Sequence, residues 1–244
     1  MVKGWCLTLY HLPSIEEVSD LEKLHIRTQD PAVQSICATD PKLKQLISLI
    51  GDFEVPLRSD YLSSIVRSII GQQISVSAAS AIYTRLLDLL GGHITVDGLL
   101  VTSKEELREV GLTMRKAEYV KDLADKIVNR ELDLRNIAAY DDDAILKQLT
   151  NVKGIGKWTA EMFLILSLGR QDVLAIDDVG IQRSAQWLYG VEKSERRQLL
   201  VEKSPQWMPY RSIVSHYLWE AIHLGFVQDF DSMEELMETR NRLP

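Results

Sequence analysis

Beyond about residue 40, apolar positions recur at helical spacing along most of the chain. Leu62, Ile65, Val66, Ile69 and Ile70 share one helical face, and Ala78, Ala79, Ile82, Leu86, Leu87 and Leu90 resume the pattern after a break near Gly71. Gly91-Gly92 predicts the stop of that second helix. Ser103 with Glu106 forms a capping box for a short helix ending at Gly111, and Thr113 caps a longer one carrying Ala117, Val120, Leu123, Ala124, Ile127 and Val128. A short helix is predicted over residues 141–149. A largely apolar one over 157–168 must be buried, and a charged surface helix is predicted over 229–242.

The first forty residues have a different pattern. Trp5, Leu7 and Leu9 alternate with polar neighbours as in a short strand, and Pro13, Pro31 and Pro41 punctuate the chain after it. Residues 1–40 are therefore set apart as an N-terminal extension, and residues 41–244 as a mainly all-α, two-lobed helical domain. A composition of 45% hydrophobic and 26% charged residues is ordinary for a folded globular chain. Two cysteines, Cys6 and Cys37, supply too few ligands for an iron–sulfur cluster and form no CxxC zinc pattern. No apolar run is long enough to span a bilayer, so no membrane partner and a cytoplasmic location are expected. A net charge of −7 argues against a broad basic surface for nucleic acid and leaves room only for a local, salt-sensitive footprint.

Candidate chemistry centres on Val152-Lys153-Gly154-Ile155-Gly156-Lys157-Trp158-Thr159-Ala160 and on Asp177-Asp178, where Asp178 lies twenty positions after Trp158. Two glycines around one apolar residue permit a tight corner between helices, and the next helix opens with N–H groups that suit a phosphate. Residues 150–160 thus read as a helix-hairpin-helix that holds a DNA backbone through Gly154, Gly156, Lys157 and Thr159, without reading bases. A plain αα corner is the alternative. Asp177 and Asp178 are equally placed to cap the helix starting at Val179. Gln72 and Gln73 interrupt an apolar face at a helix break, as a functional loop does. Arg115 and Lys116 open a long helix, where they either meet a second phosphate or lie on a solvated face.

Gly71-Gln72-Gln73-Ile74-Ser75, the glycine hairpin, Asp172-Val173-Leu174-Ala175-Ile176-Asp177-Asp178 and Pro209-Tyr210-Arg211-Ser212 with Trp219 occur in the order seen in one family. Together they resemble the helix-hairpin-helix DNA glycosylase superfamily, and within it the 3-methyladenine DNA glycosylase II branch. The resemblance covers roughly Tyr61 to Gly225 and implies a helical fold with a DNA cleft between two lobes. It further implies that Asp178 is the catalytic carboxylate, that Trp158, Tyr210 and Gln72 line the base pocket, and that Gln73 is the wedge filling the space of an extruded base. Main-chain carbonyls of Thr150, Val152 and Gly154 match positions that hold a monovalent cation, Na+ or K+, in relatives; no other cofactor is required. Trp158 stands where bifunctional relatives resemble a lysine, which implies hydrolysis without strand cleavage. The chain departs from better-known members at Tyr210, where they resemble a tryptophan, and at Met162, where they resemble a tyrosine. Trp219 reads as core.

The expected activity is excision of alkylated purines, 3-methyladenine and 7-methylguanine, from duplex DNA in base excision repair, by a monomer that is nucleoid-associated if bacterial. Another purine lesion, deaminated or ethenoadducted, and a non-catalytic DNA-binding module stand as alternatives.

Overall fold

The computed structural model describes residues 22–241. The strand expected around Trp5, Leu7 and Leu9 lies outside them. The chain forms two compact units: Leu57–Leu168 builds the first, and Lys23–Pro56 with the residues from Gly169 onward builds the second.

The second unit begins with β1 (Lys23–Ile26), α1 (Pro31–Thr39), α2 (Pro41–Ile50) and β2 (Phe53–Pro56). β1 and β2 pair antiparallel, with Lys23 opposite Pro56 and Ile26 opposite Phe53. Residues 23–40 thus contribute a strand and a helix to this unit. A proline opens each helix where its missing N–H costs nothing. Asp40, 1% exposed, separates α1 from α2. Its carboxylate accepts from the N–H groups of Lys42 and Leu43, from Tyr189 Oη at 2.6 Å, Gln206 Nε2 at 3.0 Å, Trp207 Nε1 at 3.2 Å and Lys203 Nζ at 3.3 Å. Burial pushes this carboxyl up, but the donors outweigh burial and hold it below the ordinary carboxylate range.

The first unit is entirely helical among the described residues: α3 (Tyr61–Gly71), α4 (Val76–Leu89), α5 (Val96–Val101), α6 (Lys104–Glu109), α7 (Met114–Val128), α8 (Asp142–Thr150) and α9 (Lys157–Leu166). The Ser103–Glu106 capping box forms, and Thr113 and Asp141 cap α7 and α8 through the N–H groups of Lys116 and Ala144. Gly91 and Gly92 both take positive φ where α4 ends. Every residue of α9 from Thr159 to Leu166 is buried, so this helix is the core of the unit. Tyr61 meets Phe163 edge to face at 5.5 Å, and Ser64 shares a buried hydrogen bond of 2.8 Å with Ser167. One predicted apolar position fails: Val128, in the last turn of α7, is 56% exposed.

The chain then returns to the second unit with α10 (Val179–Tyr189), α11 (Arg196–Lys203), α12 (Arg211–His223), α13 (Phe226–Asp229) and α14 (Met233–Asn241). From Ser212 to Trp219 α12 is fully buried, which makes it the axis of this unit. The expected single surface helix over 229–242 is interrupted by Phe230-Asp231-Ser232. Ser232 starts α14 by accepting from Glu235 N at 3.2 Å, and Met233 and Leu236 are buried.

Candidate functional site

The hairpin between α8 and α9 needs glycine at one corner and not at the other. Gly154 has φ +80, and a Cβ there would stand 2.1 Å from Tyr119 Cδ2. Gly156 has φ −91, and a Cβ would meet nothing within 4 Å. The space beside Gly156 is therefore open within the described residues. Gly156 is also the N-cap of α9 and offers no side-chain acceptor, which leaves the first-turn N–H groups and the positive end of the helix facing outward.

Lys157 projects from that turn with its side chain 70% exposed, 3.4 Å from Glu161 Oε1. Its neighbour Trp158 is half-buried. Thr159 is buried, so what it can offer a phosphate is its main-chain N–H, not its hydroxyl. Asp122 on α7 fixes the near side of the hairpin by accepting from Lys153 N at 2.8 Å. Of the three carbonyls matched to a cation site, Val152 O accepts from Ile155 N at 3.1 Å and Gly154 O from Gln72 Nε2 at 2.8 Å. Each keeps a second lone pair.

At the end of α3, Gln72 turns toward the hairpin as that hydrogen bond requires, while Gln73 is exposed with φ +61. A left-handed glutamine costs about 1–2 kcal/mol and persists only where its surroundings over-determine it. Lys116 is placed differently from either sequence expectation. Its ammonium neither points to solvent nor waits for a phosphate; it donates to Ile70 O and Gln72 O, both at 2.6 Å. The physical reason is the helix end: α3 leaves C-terminal carbonyls unsatisfied, and a long cationic side chain completes them. Arg115 remains exposed, its guanidinium donating to Tyr119 Oη.

In the second unit the two aspartates separate cleanly. Asp177 is exposed and paired with Arg197 at 2.8 Å. Asp178 is 2% exposed and caps α10, its Oδ1 accepting from Ile181 N at 2.8 Å. The same oxygen accepts from Trp219 Nε1 at 3.1 Å. Trp219, expected only as core, is indeed buried but also holds the carboxylate from α12. Farther up the same helix Arg211 grips Asp172 through Nε at 2.7 Å and Nη2 at 3.0 Å, and Ser212 Oγ exchanges hydrogen bonds with the main chain of Val173. The segment 172–178 is thus anchored to α12 near both ends. His216, between the anchors, packs edge-on to Trp219 at 5.7 Å, and burial pushes its imidazole down to about 3. Tyr210 is half-buried and lines a cavity of about 300 Å3 with Leu24, Ile26, Ile213 and His216.

A sequence profile of HhH-GPD superfamily base excision DNA repair proteins matches residues 66–209. The chain belongs to this superfamily. Membership agrees with the hairpin, whose initials head the family name. A DNA-3-methyladenine glycosylase of Saccharomyces cerevisiae is 30% identical over 236 residues, covering 92% of this chain and 75% of that protein. A solved DNA-3-methyladenine glycosidase from Bacillus halodurans has 38% identity and a TM-score of 0.81, covering 88% of this chain and 99% of that one. The Schizosaccharomyces pombe 3-methyladenine DNA glycosylase, solved in complex with abasic DNA, has 25% identity and a TM-score of 0.71 over 82% of this chain and 99% of that one. The HhH-GPD fold, mainly helical with a small two-stranded sheet, is therefore the fold of this protein.

Proposed function

We propose that the protein is a monofunctional DNA glycosylase that releases alkylated purines, 3-methyladenine and 7-methylguanine, from duplex DNA in base excision repair. The observation that carries the reading is Asp178, a buried carboxylate held by Trp219 Nε1 and Ile181 N and lying beyond a hairpin whose second glycine stands in open space. Capping alone would need only the Ile181 N–H. A buried indole donor on the same oxygen fixes the carboxylate far more tightly than a cap requires. The relatives named for 3-methyladenine supply the substrate class.

The chemistry suits these groups. Alkylation leaves the purine cationic, so when the C1′–N bond breaks its electron pair neutralises the departing base and little proton donation is needed. Positive charge develops on the sugar, where a preorganised carboxylate is worth most in a water-poor site. The oxygen of water then bonds to C1′, and its proton passes to Asp178 or to solvent. Trp158 offers an indole face to a cationic ring and no amine for an imine, which supports hydrolysis without strand cleavage. Gln73 fills the space of the extruded base. Exposed amides at Gly154 and Gly156, with Lys157 and Arg115, hold the phosphates locally, as the net charge of −7 demands. The carbonyls of Thr150, Val152 and Gly154 can share a monovalent cation that stiffens the hairpin, and no step runs through it.

Incubation with duplexes carrying single defined lesions tests the reading. Release of 3-methyladenine and 7-methylguanine is expected, leaving abasic strands that break only in alkali. Release of deaminated or ethenoadducted purines alone would replace the substrate assignment, and tight binding of abasic DNA with no release of any base would favour a binding module.

A further inference from the structure

The turn that carries Gln73 is built by residues outside it. Lys116, in the first turn of α7, donates to the carbonyls of Ile70 and Gln72 on either side of the end of α3. Gln72 in turn donates to Gly154 O in the hairpin. One helical turn beyond Lys116, the ring of Tyr119 occupies the space a Gly154 side chain would need, and Asp122 accepts from Lys153 N. A single helix face therefore holds the Gln73 turn with one side chain and the hairpin with two more. Burial lowers the pKa of the Lys116 ammonium, as its enclosure by protein requires. Gln73 meanwhile keeps a left-handed backbone in an exposed position, a conformation that glutamine does not choose unaided.

We infer that Lys116 is a positioning residue that sets the Gln73 wedge against the hairpin, so that extrusion of a paired base depends on it while the grip on DNA does not. The inference rests on the glycosylase reading above and on Gln73 as the wedge. Extruding a base from an intact pair costs unpairing and unstacking, and a lesion already lacking a partner spares most of that cost. A misplaced wedge should therefore be felt only on the paired substrate.

The test is single-turnover release of one alkylpurine placed opposite its normal partner or opposite an abasic site. Lys116→Met keeps the aliphatic stem and removes every donor. Release from the paired duplex is expected to fall about 10- to 100-fold, the worth of a charge-assisted contact. Release opposite the abasic site should stay within about twofold, and affinity for undamaged duplex should not change. Lys116→Arg, which keeps a charged donor, should restore most of the loss, and Gln73→Ala should show the same dependence on pairing. If Lys116→Met does not fold, Lys116→Gln, whose shorter side chain keeps only a neutral amide, is read in the same way. Equal losses on both substrates, or no loss on either, would overturn the inference. No release by the unaltered protein from either substrate would overturn the glycosylase reading and this inference with it.

Discussion

Replacing Asp178 separates its two jobs. In Asp178→Ala the N–H of Ile181 loses its cap, worth about 1 kcal/mol, and the buried indole N–H of Trp219 is left without this acceptor, worth roughly 1–3 kcal/mol. The second unit should therefore lose on the order of 2–4 kcal/mol, and its thermal midpoint should fall by roughly 5–15 °C. Asp178→Asn keeps an Oδ1 that can accept both hydrogen bonds, so only the charge assistance goes, about 1 kcal/mol. Base release responds in the opposite proportion. A neutral amide stabilises developing positive charge poorly, and the loss of a preorganised electrostatic group of this kind costs roughly 100- to 1,000-fold in rate. The measurement pairs differential scanning with single-turnover release of 7-methylguanine from methylated duplex DNA, and adds binding to abasic DNA as a control for folding. The expected result is a near-parental midpoint, near-parental binding and rate loss in Asp178→Asn, against loss of both stability and rate in Asp178→Ala. Undiminished release by Asp178→Asn would refute the catalytic assignment, and a collapse of its midpoint to that of Asp178→Ala would refute the account of how the carboxylate is held.

The hairpin glycines should part company: Gly154→Ala is expected to destabilise the first unit strongly, through φ +80 and the 2.1 Å approach to Tyr119, whereas Gly156→Ala should melt like the parent and lose affinity for DNA. Gly156→Ala binding DNA at full strength would show that the bare corner is not an approach surface. His216 makes the second unit acid-sensitive. Its folded pKa of about 3 lies below the unfolded value near 6.5, so its contribution is complete above pH 6.5 and is lost as pH falls toward 3. By pH 5 this amounts to about 2 kcal/mol, which His216→Gln, unable to titrate, should not show; a parental midpoint as high at pH 5 as at pH 7.5 would contradict it. Borohydride added during turnover should trap no covalent adduct with DNA, because Trp158 supplies no amine, and a trapped adduct would identify a lyase.

Most helices of the first unit, though not the short α5, are legible in the sequence because local chemistry decides them. Thr113, Asp141 and the Ser103–Glu106 pair each sit beside the apolar period they start, and the largely apolar run after Lys157 reads as a buried helix. The β1–β2 pair is not, since strands of four residues carry too little alternation and their pairing depends on a chain separation no periodicity records. The interruption at Phe230-Asp231-Ser232 is hidden within a charge-rich stretch that looks continuous. In the candidate site, the resemblance to the family singles out Asp178 and Gln73 but not what holds them. Lys116 reaching Ile70 O, and Trp219 reaching Asp178, are contacts over 46 and 41 positions, and a lysine or a tryptophan in a helix signals only a solvated arm or a packed ring until the partner is in place. Arg211 with Asp172 is the same kind of omission: the two stand in separate motifs, and only the fold shows that one clamps the other.

The interleaving of the two units has a consequence for synthesis. The helices of the first unit all lie within Leu57–Leu168, whereas the second cannot close until residues after Gly169 have been made. At roughly 5–20 residues per second, a ribosome takes about 6–20 seconds to translate that stretch. Throughout this interval Leu43, Leu46 and Ile47, which end up buried, have emerged without the helices α10 and α12 that pack against α2. The nascent chain thus carries a waiting apolar segment while the hairpin unit folds behind it, and slow translation beyond Gly169 would lengthen its exposure to chaperones and to aggregation.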